Sequence, residues 1–344
     1  MSDVLRHKRE LGRQGRLLSP GGTLESIHVS PNTRSVWHMD GGKSGNATCL
    51  GCHDAPCIEL KEQNFDLGGE LSAFPGDPSQ EVCPVNAINW KEGGETVEID
   101  NERCVGCGLC ALQCPYGAIT LNVDGTAKVE TDDLDHVTVP AETGTTHTQA
   151  KKQGSLSASG GHFLTNLPEI IAALNDTQTT RLVRNIFLSC GVAANIRRKG
   201  DTNVRMDGLL RFPSGQIGVV EIETSPNVLE SPRALLEDIA VLHNRFGVPM
   251  PEIVPVSVIS SFPNVRVEYY QVIDDIENVL GIQCRSLTLA SLFILGWHFR
   301  SLEKMPDDLF TTTSGSTDLL PSLKELIPEM PDLEPYLGAY RPFK

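Results

Sequence analysis

From His162 onward the apolar positions recur with a regular period. Leu164 to Leu174 and Thr180 to Val192 carry helical spacing, as in Leu182, Ile186, Phe187 and Cys190, and Gly191 is placed to stop the second helix. Val204 to Leu210 and Ile217 to Thr224 predict two strands around the turn Phe212-Pro213-Ser214-Gly215-Gln216. A helix follows, with Ser231 as N-cap, Pro232 at its first position, an apolar stripe of Leu235, Ile239, Leu242 and Phe246, and Gly247 as terminator. Ile253 to Ser260 then predicts a buried strand, Val265 to Ile273 another strand, and Leu287 to Phe299 a buried helix. The order helix, strand, strand, helix, strand implies an α/β domain over 162–302. The first 48 residues show no sustained period and predict an irregular N-terminal arm. Residues 122–161 are rich in Thr, Ser, Gly and Asp, and a segment that buries so little predicts a flexible linker. Proline recurs in 303–344, which predicts an extended C-terminal tail.

Charge divides the chain. The 344 residues carry a net charge of -15. Residues 1–150 hold 22 acidic and 11 basic side chains, whereas 151–344 hold 22 and 18, so the N-terminal half is the acidic one. Between positions 181 and 211 the sign reverses. Arg181, Arg184, Arg197, Arg198, Lys199, Arg205 and Arg211 face only Asp201 and Asp207 there. Such a run is either a solvated face or a surface for phosphates, and DNA is the partner that the second reading implies. The N-terminus lacks a signal pattern and no run of 18 apolar residues occurs, so a soluble, cytoplasmic protein without a membrane partner is expected.

Ten cysteines change the picture most. Cys104, Cys107, Cys110 and Cys114-Pro115 read Cys-x2-Cys-x2-Cys-x3-Cys-Pro, and upstream stand Cys49, Cys52, Cys57 and Cys83-Pro84. The two Cys-Pro corners repeat each other, Cys83-Pro-Val-Asn-Ala-Ile-Asn answering Cys114-Pro-Tyr-Gly-Ala-Ile-Thr. Residues 49–121 resemble a bacterial-type dicluster [4Fe-4S] ferredoxin domain. The resemblance implies two [4Fe-4S] clusters, one on Cys49, Cys52, Cys57 and Cys114, the other on Cys104, Cys107, Cys110 and Cys83. Two departures stand out: four residues separate Cys52 from Cys57, and a 25-residue insertion, Ile58 to Val82, precedes Cys83. Paired Cys-x2-Cys also suits zinc, but eight cysteines with two Cys-Pro corners favour clusters. The remaining pair, Cys190 and Cys284, reads as core.

The second domain carries a different chemistry. Strand side chains alternate faces, so Glu221 and Glu223 project together, and with Asp207 from the neighbouring strand they form a candidate set of oxygen ligands for Mg²⁺ or Mn²⁺. Asp207, then Glu221-Ile222-Glu223 on an apolar strand, then a helix, resembles the PD-(D/E)xK, or restriction-endonuclease-like, superfamily. That resemblance implies a mixed sheet flanked by helices, making the whole chain α+β, with Asp207, Glu221 and Glu223 as catalytic and metal-binding residues of a DNA endonuclease. Glu223 stands where the family has Lys, and Met206 stands where it has Pro. A hairpin closed simply at Ser214-Gly215 would set Asp207 opposite Ile222, on the wrong face. A one-residue irregularity, which Gly208 or Gly215 can supply, is therefore required. Glu169 is a further candidate acid. Asp40-Gly41-Gly42-Lys43-Ser44-Gly45 lacks the first glycine of a phosphate-binding loop, Trp37 standing there.

Two functions follow. One is an iron–sulfur protein coupled to a metal-dependent nuclease or nuclease-derived nucleic-acid binder. The other is an electron-transfer protein whose C-terminal domain docks a redox partner, its acidic half meeting basic surfaces.

Overall fold

The computed structural model describes residues 16–18, 24–26, 55–60, 67–92, 96–114, 118–121, 127–129, 160–198, 200–201, 204–225, 228–298, 302, 317–330, 332 and 334–342. The chain divides into two units, Met1–Leu60 with Glu81–Phe163, and Lys61–Gln80 with Leu164–Lys344.

The first unit is built from short antiparallel pairs. Strands β1 (Arg16–Leu18) and β2 (Leu24–Ser26) pair within the N-terminal arm, whose other residues lie outside the described set. Strands β3 (Ile88–Trp90) and β4 (Val97–Ile99) form one hairpin, with Ile88 opposite Ile99. A one-turn helix α1 (Leu109–Gln113) is followed by strands β5 (Ile119–Leu121) and β6 (Ala127–Val129), which pair antiparallel. The expected linker 122–161 thus contributes a strand at 127–129, and 130–159 lie outside the described residues. Ala87, Leu109, Ala111, Ala118 and Ile119 are among its most deeply buried apolar residues.

The second unit is a mixed five-stranded sheet between helices. Helical residues 160–173 (α2) precede α3 (Asp176–Ser189), which Asn175 and Gln178 start with a reciprocal capping box. Then come β7 (Ala193–Ile196), β8 (Gly208–Arg211), β9 (Ile217–Glu223), α4 (Glu230–Phe246), β10 (Ile253–Ile259), α5 (Tyr269–Leu280), β11 (Arg285–Thr288), α6 (Leu289–Trp297) and α7 (Leu320–Leu326). The sheet order is β11-β10-β9-β8-β7. Strands β7, β8 and β9 pair antiparallel, whereas β9, β10 and β11 run parallel. All seven residues of β10 are buried, as expected of a parallel strand covered on both faces.

Four local expectations are corrected. Val265 to Ile273 is not a strand: a turn leads into α5, whose buried Tyr269, Tyr270, Ile273 and Ile276 repeat with helical spacing. That period becomes visible only beyond Ile273. Strands β7 and β11 were not expected, each being four residues beside a stronger helical pattern. Ser231 does not cap α4, which begins at Glu230. Its hydroxyl lies 2.6 Å from that of buried Ser257, which also accepts from Tyr269, while Tyr269 meets Ser286 at 2.8 Å. The 303–344 tail is not simply extended, because α7 lies within it and Gly338 and Ala339 carbonyls accept from Phe262 N–H and the Thr288 hydroxyl.

The insertion after Cys57 has an unexpected place. Residues 67–80 belong to the sheet unit. Gly76 bridges Arg197 beyond β7, Asp77 N–H donates to Ile196 O (2.7 Å) and Arg198 N–H to Pro75 O (2.9 Å). Arg184, 1% exposed on α3, donates to Ser79 O at 2.8 Å, and Arg211 donates to Leu67 O.

Candidate functional site

Cys104, Cys107 and Cys110 lie on a loop that enters α1. Gly106 (φ 73°) and Gly108 (φ 74°) occupy the left-handed region, which lets the loop curl tightly around its thiols. Cys83 joins them from its Cys-Pro corner. All four thiols line one cavity with Val85, Ile88, Ile99, Leu109 and Leu121. The backbone is aimed at sulfur in both halves of the repeat: Ala87 N–H donates to Cys83 Sγ and Ala118 N–H to Cys114 Sγ, each at 3.2 Å. Burial pushes the Cys107 thiol well up, and Cys83, Cys110 and Cys104 add to the shift. Burial does the same to Cys110, helped by Cys57, Cys104 and Cys83.

This donor set fits a [4Fe-4S] cluster. Thiolates crowded in an apolar cage need a strongly positive partner, and amide N–H groups facing sulfur suit a bridged cluster. Cys57 and Cys114 are buried, whereas Cys49 and Cys52 lie outside the described residues. Cys190 and Cys284 are buried in the second unit, as expected of core thiols.

In the sheet unit, Arg211 pairs with Ile217 and Gly208 with Val220. Continued by one residue, this register sets Asp207 opposite Glu221. The required irregularity lies in the turn, where Phe212 N–H donates to Gln216 O, Gly215 N–H donates to Phe212 O, and Gly215 adopts φ 93°. Asp207 accepts from Ile222 N–H and from Arg197 Nη2, both at 3.1 Å. Burial, then Asp207 and Asp238, pushes the Glu221 carboxyl up to about 9. Glu223 stands at the margin, accepting from Ser225 N–H at 2.8 Å.

Asp238 on α4 was missed by reading strands alone. It is 2% exposed, its carboxyl is pushed up to about 7 by burial and then by Asp207, and its Oδ2 has no hydrogen-bond partner. The signal was an acid standing three residues after Leu235 and four before Leu242, on the apolar stripe. Glu169 is exposed on α2. Among the described residues no three His, Cys, Asp or Glu side chains converge on a single-ion position. A cleft of about 620 Å³ lies alongside, lined by Thr177, Thr180, Arg197, Arg205, Asp207 and Thr224 among others.

Several cations of the positive run at 181–211 have partners within the protein. Arg184 is buried, Arg211 holds Leu67, Arg197 pairs with Asp207, and Arg205 pairs with Glu237 at 2.9 Å. Arg198 is exposed, and Lys199 lies outside the described residues.

The cage and its repeat define an iron–sulfur domain of ferredoxin type. Residues 80–118 match the 4Fe-4S dicluster domain family. The chain is 54% identical over 44 residues to an uncharacterized ferredoxin of Methanocaldococcus jannaschii, covering 13% of this chain and 25% of that protein. It is 32% identical over 116 residues to a proposed iron-sulfur component of a dimethyl sulfoxide reductase of Halobacterium salinarum, covering 32% and 33%. It is also 32% identical over 72 residues to hydrogenase-4 component A of Escherichia coli, covering 21% and 23%. The chain thus spans about a quarter to a third of the length of these relatives. No solved structure matches. Among the described residues no helix is long and apolar enough to cross a membrane.

Proposed function

We propose that this is an electron-transfer protein holding two [4Fe-4S] clusters in a domain over 49–121, one on Cys83, Cys104, Cys107 and Cys110, the other on Cys49, Cys52, Cys57 and Cys114. The observation that carries the reading is the convergence of four thiols in one apolar cage, with backbone N–H groups facing sulfur at both Cys-Pro corners. A cluster held there would supply one-electron chemistry. The chain's own part is to exclude water, direct N–H donors at sulfur and so set the potential. The acidic first half suits a basic redox partner, and thiol ligands kept reduced suit the cytoplasm. Anaerobically purified protein should contain about eight iron atoms per chain and show reversible low-potential reduction. Zinc in place of iron would sink this reading.

A second reading is favoured by the register that brings Asp207 opposite Glu221. On it, Asp207 and Glu221 supply carboxylate oxygens to Mg²⁺ or Mn²⁺, Glu223 joins them only by leaving Ser225 N–H, and the 162–302 domain is a restriction-endonuclease-like nuclease acting on DNA. Incubating the iron-loaded protein with plasmid and single-stranded DNA and either ion, beside Glu221→Ala, tests it. Cleavage that the variant abolishes supports the reading, and no cleavage in oxidised or dithionite-reduced protein removes it.

A further inference from the structure

The segment between Cys57 and Cys83 leaves the cysteine unit and returns to it. Its two arms are closed together at the base, where Glu59 bridges Glu81 and Val82 N–H donates to Ile58 O at 2.8 Å. Both flanking cysteines are in the cluster sets proposed above, so the path of the excursion is anchored by two ligands. Its middle, 75–77, extends the sheet at the edge beyond β7, bonding on both sides of Gly76 through Ile196 O and Arg198 N–H. A Cβ at Gly76 would lie 1.6 Å from Asn195 Oδ1, so a larger residue there must displace the Asn195 side chain. The edge residue it bridges, Arg197, is the one whose guanidinium holds Asp207 at 3.1 Å.

We propose that the 67–80 segment is a coupling strand, whose docking on the sheet edge at Ile196–Arg198 depends on whether Cys57 and Cys83 are held by iron. With both ends fixed, docking costs little further chain entropy. With the cysteines released, the same contacts must also order a longer free loop. Iron occupancy therefore biases the position of Arg197 and, through it, the Asp207 carboxylate. The coupling is reciprocal: whatever undocks the strand must also loosen the iron.

The inference rests on the cluster reading, so iron content is measured first, which separates a failure of that reading from a failure of the coupling. Hydrogen exchange of the full chain, iron-loaded and after anaerobic chelation, then reads the Asp77 and Arg198 amides. The expected result is a loss of about tenfold in their protection on iron removal, with the β9–β10 amides unchanged. Equal protection in both forms, or an equal loss throughout the sheet, overturns the proposal. Gly76→Val supplies the converse. It should deprotect Arg198 in the iron-loaded protein and speed iron loss to a chelator severalfold, whereas an unchanged rate of loss overturns the reciprocity and the proposal with it.

Discussion

At the scale of single residues, small changes in the sheet unit have unequal consequences. Gly208 stands where β8 starts, and a Cβ there would lie 2.6 Å from Ile196 Cδ1 and 2.9 Å from Val220 Cγ1. Gly208→Ala should destabilise the protein by about 1–3 kcal/mol, read from urea unfolding of the iron-loaded form. Glu221 and Asp238 have the opposite character, since the folded state disfavours their charge. Their carboxyls titrate at about 9 and about 7 in the fold, against about 4 in an unfolded chain. The folded chain then binds protons that the unfolded chain lacks, so this contribution to stability is full in acid and is lost as pH rises through both values. In metal-free buffer Glu221→Gln should exceed the native protein in stability by about 1 kcal/mol at pH 8, and the gain should shrink toward pH 6. A gain that grows toward acid would contradict the arrangement. The residues of this cluster were partly legible. The spacing of Glu221 and Glu223 declared a shared face, but Asp238 enters only because α4 packs across β9 and β10.

At the scale of elements, α3 is the support for the excursion after Cys57. Its apolar face buries Leu182, Val183, Ile186 and Phe187, yet Arg184 is equally buried because it turns to the 67–80 segment and to Asn185 Oδ1 at 3.0 Å. A basic residue inside a helix stripe looks like a surface charge in a linear reading. Here it satisfies carbonyls that an irregular segment cannot pair within itself. Arg184→Met should cost about 2–3 kcal/mol and expose 67–80 to limited proteolysis, because Ser79 O would lose a charged donor. A variant with native resistance to protease would show that Arg184 does not hold the segment. The hairpin between β8 and β9 shows how little decides a register. One glycine at φ 93° shifts the pairing by a residue, and with it the face on which Asp207 lies.

At the scale of the whole molecule, the proposed ligand sets divide iron between two clusters. Cys104→Ser should lower the iron content from about eight to about four atoms per chain and leave one reducible centre, measured by iron assay and by electron paramagnetic resonance after dithionite. Loss of all iron would mean that the two sets assemble as one. The unit boundaries follow the chain less simply than its motifs do. A sequence reading places the excursion after Cys57 with the cysteines that bracket it, while its contacts place it with β7 and α3.

The sequence by itself determined the cysteine motif and its repeat, because iron–sulfur chemistry needs thiolates at fixed short spacings and those spacings are covalent. It also determined the helices with long apolar stripes and the largely apolar strand β10, since a sustained apolar pattern leaves no other way to bury them. Only the tertiary structure decided the short strands β7 and β11, whose four residues carry too little pattern to be read and are ordered by their neighbours in the sheet. It alone decided that Asp207 faces Glu221, that Asp238 joins them from a helix, and that Arg184, Arg197 and Arg211 find partners within the fold. Each of these depends on which distant backbone supplies a partner, and distance along the chain does not encode that.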